Sequence, residues 1–339
     1  MKILITGGTG YIGSHTIVDL IENGFDVISA DSYINSDGSA LQGIEAITGK
    51  KIKNYKVDLR DKEATENIFK ENPDIEGIIH FAALKAVGES VEKPVLYFDN
   101  NINSLINILD NIVKYDVKYF VFSSSCTVYG SPEKLPVDEN TPIQEAESPY
   151  GRTKQVSEMI AKDVLQNTGV KAIMLRYFNP AGAHESAKMG ESPALPPLNL
   201  VPIITETAIG KRKSMMVFGN DYDTRDGSAI RDYIHVMDLA DAHTKSLQYL
   251  INNPDAPKYD YINLGIGQGV TVLEAINAFE KVTGEKLNYS IAERRPGDIA
   301  AIYADYSKAK KLLNWNPKRN IEDIMYTAWE WEKVRSGKN

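Results

Sequence analysis

A tyrosine and a lysine four residues apart, Tyr150 and Lys154, have the types and the spacing that can move a proton. Pro149 suits the first turn of a helix and Ser148 can cap it, so the two side chains should share one helix face. A tyrosine phenol has a pKa of about 10, and a neighbouring cation lowers it. Tyr150 is therefore a candidate base for the proton of a hydroxyl, with Lys154 as the cation that favours the phenolate.

A run of three serines, residues 123–125, ends the predicted strand that precedes this helix. Because ligands of open parallel sheets bind at the carboxyl ends of the strands, Ser125 is a candidate hydrogen-bond partner for a substrate hydroxyl or for Tyr150. Tyr-x-x-x-Lys alone is a weak signal, since helix surfaces often carry such pairs, but the serine run makes the combination specific. Cys126 is the only cysteine, has no histidine beside it, and is predicted to fill space rather than act as a nucleophile.

A glycine-rich loop, Gly7–Gly13, joins the first predicted strand to the first predicted helix. Gly7 and Gly10 permit a tight turn and let a pyrophosphate approach the N-terminus of the helix, where free N–H groups and the helix dipole favour anions. Gly13 lies on the stripe that faces the sheet, where a side chain would hold the helix away. Asp31 ends the second predicted strand and can accept both ribose hydroxyls while repelling a 2′-phosphate, which favours NAD over NADP.

Short apolar runs alternate with helical patterns in the first half of the chain. The runs are nearly continuous in apolar character, which is typical of strands buried on both faces of a parallel sheet. They are Lys2–Thr6, Asp26–Asp31, Ile52–Asp58, Ile75–Ala82, Lys118–Ser125 and Lys171–Phe178. Helices are predicted at Tyr11–Asn23, Asp61–Glu71, Val95–Tyr115 and Pro149–Thr168. This alternation predicts an α/β fold with a Rossmann-type doubly wound parallel sheet.

The regular alternation breaks after Asn179, where five prolines fall between residues 180 and 202. We therefore predict an NAD-binding Rossmann domain over residues 1–179 and a smaller C-terminal mixed α/β lobe over residues 180–339. The lobe is expected to bind mainly the substrate, and some of its segments are expected to return to the first domain.

Charge and composition narrow the class of protein. The 339 residues carry 38 Lys and Arg against 46 Asp and Glu, a net charge of −8, which argues against binding nucleic acid through bulk charge. The five histidines are scattered and no Cys/His cluster has zinc spacing, so no metal site is predicted. Neither a signal-peptide pattern nor an apolar run of roughly 20 residues is present, so we expect a cytoplasmic protein that does not enter a membrane.

Longer segments of the chain resemble the UDP-glucose 4-epimerase family of extended short-chain dehydrogenases/reductases. They are GGTGYIGSHT, HFAALKAVGES, SSSCTVYG, SPYGRTK, LRYFNPAGAH, GNDYDTRDGSAIRDYIHVMDLADAH and RRPGDIA. The resemblance implies that NAD contacts Gly7, Gly10, Tyr11, Ile12, Gly13, Asp31, Asn35, Ser36, Asp58, Leu59, Phe81, Ala82, Ala83, Lys85, Asn100, Ser125, Tyr150, Lys154 and Phe178. It implies that a UDP-sugar contacts Lys85, Ser125, Tyr150, Tyr177, Phe178, Asn179, Asn199, Leu200, Phe218, Arg231, Arg295, Asp298 and Ile302. Ser125, Tyr150 and Lys154 would be the catalytic residues.

The activity that the resemblance implies is the interconversion of UDP-galactose and UDP-glucose. Tyr150 would take the proton of the sugar 4-hydroxyl, NAD would take the hydride from carbon 4, and the 4-keto sugar would turn before both return. Related 4,6-dehydratases have an Asp-Glu pair where this chain has Cys126 and Thr127, which argues against dehydration. Ile302 occupies the position that gates the sugar pocket in the family, and it leaves UDP-N-acetylhexosamines open as the main substrates. A non-catalytic NAD-binding sensor is the other alternative.

The predicted helix Val95–Tyr115 carries apolar residues over more than one face. A single contact with the sheet would not bury them all, so another element or a second subunit must cover the remainder. The resemblance implies a homodimer through the region of residues 95–115.

Overall fold

The computed structural model describes residues 1–193, 196–295 and 298–338. Pro296 and Gly297, in the segment RRPGDIA, lie outside the described residues. The strands are β1 (Lys2–Thr6), β2 (Asp26–Asp31), β3 (Lys53–Lys56), β4 (Ile75–His80), β5 (Tyr119–Ser125), β6 (Lys171–Tyr177), β7 (Asn179–Ala181), β8 (Met215–Phe218), β9 (Ile230–Arg231), β10 (Tyr233–His235), β11 (Tyr259–Leu264), β12 (Val270–Thr271), β13 (Tyr289–Ala292) and β14 (Ala301–Ile302). The helices are α1 (Tyr11–Glu22), α2 (Ala40–Thr48), α3 (Lys62–Glu71), α4 (Val87–Glu92), α5 (Pro94–Lys114), α6 (Pro149–Leu165), α7 (Leu200–Ala208), α8 (Val236–Asn252), α9 (Val272–Thr283), α10 (Ser307–Leu313) and α11 (Ile321–Arg335), and a 3₁₀ turn covers Cys126–Tyr129.

Seven strands form the main sheet in the order β11-β6-β5-β4-β1-β2-β3, and every neighbouring pair is parallel. The strand order reverses at β1, so the connections after β1 and β4 leave the sheet in opposite directions and open a crevice at the carboxyl edge. This topology confirms the predicted Rossmann-type doubly wound sheet. The edge strand β3 is shorter than predicted, because its lysines Lys53 and Lys56 are exposed and the buried pattern ends there.

Helices cover both faces of the sheet. On one face α1 and α8 pack around buried residues such as Ile17, Leu20 and Leu247. On the other face α3, α5 and α6 pack around residues such as Leu105 and Ala161. Burial on both faces explains why the central strands β1 and β4 are nearly continuous in apolar residues, whereas the edge strands β3 and β11 carry polar residues within them.

The smaller lobe combines α7, α9 and α11 with short strands. β8 pairs with β13 and β14 pairs with β9 in parallel, whereas β12 runs antiparallel to β9, so the lobe is mixed α/β as predicted. α8 and β11 come after residue 179 and nevertheless join the main sheet and its covering layer. A boundary at residues 179 and 180 stays a prediction. In the described part of the chain, no helix combines the length and the apolar character that crossing a bilayer requires.

Candidate active site

The first turn of α6 brings the predicted base and its lysine into the crevice. Ser148 caps the helix, because its Oγ accepts a hydrogen bond from the backbone N–H of Gly151 at 3.1 Å, and Pro149 occupies the first turn. Tyr150 is half-buried as a whole residue, and its hydroxyl lies on the buried side. Lys154, one turn further, is only 4% exposed. The local capping signals therefore place both side chains as the sequence predicts.

Strand β5 supplies the serine run. Ser125 is 8% exposed, and its Oγ accepts from the backbone N–H of Thr127 at 3.3 Å, which starts the 3₁₀ turn. The Nζ of Lys154 donates to the backbone oxygen of Ser123 at 2.6 Å and lies 4.8 Å from the ring centroid of Phe122. The lysine is therefore tied to the strand that carries Ser125.

Burial dominates the electrostatics of this group. It raises the pKa of Tyr150 to about 12, and the hydroxyl of Ser125 opposes that rise. Burial also lowers the pKa of Lys154 to about 8, and the carboxylate of Glu158 opposes that fall. The Nζ of Lys154 lies 5.9 Å from the ring centroid of Tyr150. The protein groups alone thus hold the phenol neutral, and a lowered phenol pKa depends on a further cation.

The glycine loop forms a cradle without side chains. Gly7 has a φ of +71°, and a Cβ there would come within 2.8 Å of the backbone nitrogen of Ala82. A Cβ on Gly13 would come within 2.3 Å of the carbonyl oxygen of Gly7. Gly10 is the N-cap of α1 and offers no capping side chain, so the first N–H groups of the helix are not used by a cap. These residues fit the pyrophosphate of a dinucleotide.

The carboxylate of Asp31 organises the loop that follows β2. It accepts from the backbone N–H of Thr9 at 3.2 Å and from that of Tyr33 at 2.9 Å. The hydroxyls of Thr9 and Ser36 lie 2.7 Å apart, so Ser36 also reaches the glycine loop. Asn35, which precedes Ser36 in the chain, is exposed. The carboxylate therefore stands at the end of β2, where the ribose of a dinucleotide would lie.

Asp58 and Leu59 follow β3. Leu59 is buried at 4% exposure, and Asp58 pairs with Arg60, whose Nη2 lies 2.7 Å from Oδ2. Hydrogen bonds from Arg60 hold the pKa of Asp58 below its usual range. Arg60 also reaches Asp99, and these residues line an open cavity of about 690 Å³. Arg60 directly follows the predicted pair and was not among the predicted contacts.

The stretch after β4 is held from α5 and α6. Asn101 accepts from the backbone N–H of Leu84 at 2.8 Å, donates to the carbonyl of Leu84 at 3.0 Å, and donates to Thr153 at 3.1 Å. The neighbouring predicted contact, Asn100, donates to Asn101 at 3.0 Å. This clamp fixes the segment that holds Phe81, Ala82, Ala83 and Lys85. Asn100 was a predicted contact and Asn101 was not, although the two stand together in the chain.

Several predicted contacts lie where the smaller lobe approaches the glycine loop, Gly7–Gly13. The hydroxyl of Tyr11 donates to the carbonyl of Gly182 at 2.6 Å, while Ile12, in the first turn of α1, packs against the core. Lys85 and Asn199 both reach the same carboxylate oxygen of Glu191, each at 3.3 Å. Glu191 was not predicted, because its position depends on the path of the irregular chain after residue 180.

The end of β6 lines the inner wall of the crevice. The hydroxyls of Tyr177 and Ser123 are hydrogen-bonded, and burial raises the pKa of Tyr177. Phe178 is 5% exposed, and the backbone N–H of Asn179 donates to the carbonyl of Asp232 at 3.0 Å. Strand pairing fixes Tyr177 and Asn179, and Phe178 is held between them.

The remaining predicted contacts lie on the smaller lobe. Arg231 pairs with Asp298 through Nη2 and donates to the carbonyl of Ile299 from Nη1 at 3.0 Å. The guanidinium of Arg295 lies 4.1 Å from the ring centroid of Phe218. Leu200 begins α7 and Ile302 is 5% exposed in β14. Within the described ranges, no group of three or more His, Cys, Asp or Glu residues could hold a metal ion.

Comparisons with known proteins show the family to which the chain belongs. A family model described as GDP-mannose 4,6 dehydratase matches residues 4–327. The UDP-glucose 4-epimerase of Bacillus subtilis (strain 168) is 47% identical over 333 residues, which cover 98% of this chain and 97% of that protein. The UDP-glucose 4-epimerase of Pasteurella multocida (strain Pm70) is 47% identical over 334 residues, 98% of each chain.

Solved structures extend the comparison to the fold. The UDP-glucose 4-epimerase of Bifidobacterium longum, solved in complex with NAD+ and UDP, has a TM-score of 0.93 at 46% identity and covers 100% of this chain and 99% of its own. That of Stenotrophomonas maltophila, with NAD and formylated UDP-arabinopyranose, has a TM-score of 0.96 at 42% identity, with 100% of both chains covered. The chain therefore belongs to the family that the matching model describes and, within it, to the UDP-glucose 4-epimerases.

Proposed function

We propose that this protein interconverts UDP-galactose and UDP-glucose by inverting carbon 4 of the sugar, with NAD as its bound cofactor. The observation that carries the proposal is that Ser125 and Lys154 both lie against Tyr150, at the carboxyl edge of the sheet that also carries the glycine cradle after β1. A base, a hydrogen-bonding hydroxyl and a dinucleotide site thus share one crevice. The similarity to UDP-glucose 4-epimerases that hold NAD supports the same conclusion.

Tyr150 exchanges the proton of the sugar 4-hydroxyl. Because burial raises its pKa to about 12, the phenolate needs a cation close by. The ammonium of Lys154 is held in place by its bond to the Ser123 carbonyl and supplies part of that charge. NAD, when bound, supplies a reversible acceptor for the hydride of carbon 4, so the overall reaction is not an oxidation. Ser125 hydrogen-bonds the sugar oxygen or the phenol and orients the proton transfer.

The substrate is held by its nucleotide end and turns at its sugar end. Arg231 and Arg295 neutralise the diphosphate, since guanidinium groups bind phosphate oxygens through paired hydrogen bonds. Ile302 and Phe178 belong to one buried apolar cluster beside Ser125. An apolar wall forms no directional hydrogen bonds, so a keto sugar in contact with it can present either face while water is excluded.

Two alternatives remain for the test. UDP-N-acetylhexosamines would be the main substrates if Ile302 leaves room for an acetamido group. A non-catalytic NAD-binding sensor would bind the dinucleotide and show no turnover; the presence of Ser125, Tyr150 and Lys154 together argues against it.

The test is incubation of the purified protein with UDP-galactose, without and then with added NAD, followed by chromatography of the nucleotide sugars. We expect UDP-glucose to form. UDP-N-acetylglucosamine is assayed in parallel. If only that nucleotide sugar is converted, the main substrates are UDP-N-acetylhexosamines and not UDP-hexoses. No turnover of any of these sugars with NAD present would favour the sensor.

Two variants assign the base. Tyr150→Phe is expected to keep bound NAD and to lose at least 99% of the rate, since general base catalysis contributes about 10²- to 10⁴-fold. Tyr115→Phe is the matched control, because that hydroxyl contacts Glu66 near the end of α5, away from the carboxyl edge. Equal rates for the two variants would remove Tyr150 from the proposed role.

We further infer that two copies of the chain pair through α5 and α6. Apolar side chains stand exposed on these helices, with Val95 at 79%, Met159 at 58%, Val113 at 50% and Ile106 at 43%. Such a patch on neighbouring helices is typical of an interface. Sedimentation is expected to give a dimer for the wild type and a monomer for Ile106→Glu with Met159→Lys. A wild type that sediments as a monomer at micromolar concentration would overturn the inference.

A further inference from the structure

A buried ion pair lies directly behind the proposed catalytic residues. Glu158 on α6 and Arg176 on β6 are each 2% exposed. The guanidinium binds the carboxylate through two bonds, Nε to Oε1 at 2.9 Å and Nη2 to Oε2 at 2.6 Å. The family resemblance assigned no role to either residue, and neither reaches the mouth of the crevice.

Glu158 occupies the same stripe of α6 as the proposed base and its lysine. Tyr150, Lys154 and Glu158 are spaced by four residues, and on an α-helix each such step advances about 6 Å along the axis and about 40° around it. The three side chains therefore follow one continuous line on the helix surface that faces the sheet. Any rotation or sliding of α6 would move all three together.

Three strands of the main sheet hold this line in place. The Oγ of Ser124 on β5 donates to Oε1 of Glu158 at 2.5 Å. Arg176 holds the same carboxylate from β6, and the hydroxyl of Tyr259 on β11 donates to the backbone oxygen of Glu158 at 2.7 Å. Ser124 stands between Ser123, which holds Lys154, and Ser125. A displacement of Glu158 is thereby a displacement of α6 against the serine run.

Arg176 is itself held firmly. Its Nη1 donates to the hydroxyl of Tyr129 at 3.2 Å, and its guanidinium lies 4.2 Å from the ring centroid of Tyr261. The hydroxyl of Tyr129 donates in turn to Asn263 on β11 at 2.6 Å. The charged pair therefore belongs to a network in which each buried polar group has a partner, which makes it rigid.

Stability alone gives little reason for a charged pair at this place. Desolvation of two charges commonly cancels their attraction, and well-packed apolar replacements of a buried pair are often equally stable or more stable. Hydrogen bonds donated to a fixed carboxylate do what an apolar side chain cannot, because they specify both the rotation and the depth of the helix.

We propose that Glu158 is a positioning residue: held by Arg176 and Ser124, it aligns Tyr150 and Lys154 with Ser125 and fixes a negative charge one helical turn from Lys154. The proposal rests on the proposed epimerase function. The groups that face Lys154 are Tyr150 and Glu158 from α6, Phe122 and the carbonyl of Ser123 from β5, and His80 from β4. Among them Glu158 is the group whose charge favours the ammonium, and burial keeps His80 neutral with a pKa of about 3.

The first variant is the neutral pair Glu158→Gln with Arg176→Gln, which keeps amide hydrogen bonding and avoids leaving one buried charge alone. We expect NAD to be retained, kcat to fall at least tenfold, and KM to change less than threefold. The alkaline limb of the kcat profile is expected to shift to lower pH by at least half a unit, because Lys154 then loses its proton more readily. Glu206→Gln removes the carboxylate of another ion pair, with Arg212, and serves as the control with unchanged kcat and pH profile.

Ser124→Ala provides a second, milder variant, since it removes one hydrogen bond and no charge. We expect it to fold, to bind NAD, and to lower kcat about three- to tenfold without changing KM. Wild-type kcat in Ser124→Ala would overturn the proposal, whatever the folding of the double variant. A double variant that folds and keeps the wild-type profile would do the same. An inactive wild type would instead contradict the epimerase function itself.

Discussion

Mild acid is expected to destabilise this protein through its buried histidines. Burial lowers the pKa of His15 and His243 to about 4 and that of His80 and His235 to about 3. An unfolded chain binds these protons near pH 6.5. As the pH falls from about 6.5 to about 4, the unfolded chain binds protons on these histidines that the folded protein does not bind. The free energy of unfolding therefore falls as the pH falls over that window. The contribution of these neutral histidines to stability is fully present above it.

The magnitude follows from the four histidines whose pKa falls to about 4 or about 3; burial lowers the pKa of His184 as well, and its part is left out of the sum. Between pH 7 and pH 5.5, each histidine whose folded pKa is 4 or lower costs about 1.2 kcal/mol, so the four cost about 5 kcal/mol. Two carboxyl groups act in the opposite direction, because burial raises the pKa of Asp19 and of Asp232 to about 6. These carboxyl groups bind protons at a higher pH in the folded state than in the unfolded chain. Each therefore adds about 0.8 kcal/mol to the free energy of unfolding over the same pH interval. The expected net loss is about 3 kcal/mol.

The assay is urea unfolding followed by tryptophan fluorescence at pH 7 and pH 5.5, with ionic strength, NAD and protein concentration held constant. His243→Gln is the matched variant. Its stability at pH 7 is its own reference, and we expect its pH-dependent loss to be smaller than that of the wild type by about 1 kcal/mol. A loss below 1 kcal/mol for the wild type, or a stability that rises as the pH falls, would refute the reasoning.

Three further outcomes follow from the site. Gly13→Ala is expected to purify without bound NAD, since its Cβ would lie 2.3 Å from the carbonyl oxygen of Gly7; NAD released by acid and quantified by absorbance decides it, and a stoichiometric yield would contradict it. Arg231→Met is expected to weaken UDP binding by about tenfold or more, because hydrogen bonds to charged groups contribute about 1.5–3 kcal/mol, and calorimetry with an unchanged Kd would count against it. Burial raises the pKa of the Cys126 thiol to about 12, so Ellman's reagent is expected to modify it only after unfolding; complete reaction of the native protein within minutes would be incompatible with that burial.

Much of the main sheet could be predicted because its signals are local. Strands buried on both faces read as continuous apolar runs, and β1 and β2 begin and end where the sequence predicts. The N-cap of α6 lies at Ser148, as expected from Ser-Pro at that position. Such features depend on neighbouring residues and on nothing distant in the chain.

β11 was missed because its partner is far away in the sequence. Its residues Tyr259–Leu264 include aspartate and asparagine, and only pairing with β6 makes a strand of them. The short strands of the smaller lobe have the same origin, since two- and three-residue strands carry no periodicity to recognise. Tertiary contacts decide these elements.

The same distinction between local and long-range determinants applies to the candidate site. The spacing of Tyr150 and Lys154 follows from one helix and could be predicted. The shared contact of Lys85 and Asn199 with Glu191 could not, because it depends on how the chain after residue 180 folds back. The pKa of Tyr150 was expected to be lowered by its lysine, whereas burial outweighs that effect in the protein without cofactor. Burial is a property of the whole fold, and a motif does not report it.

The place of β11 at the edge of the sheet also governs how the chain matures on the ribosome. β6 leaves the exit tunnel with its outer edge unpaired, and the strand that closes it, residues 259–264, has yet to be made. At translation rates of about 5–20 residues per second, the interval lasts roughly 4–16 seconds. During it, the nascent polypeptide presents an open parallel edge and an apolar face that α8 will later cover. A holdase chaperone that binds extended apolar segments would therefore find its longest-lived target at β6. A synonymous codon change that slows translation between β6 and β11 would lower the yield of native protein without altering the amino-acid sequence.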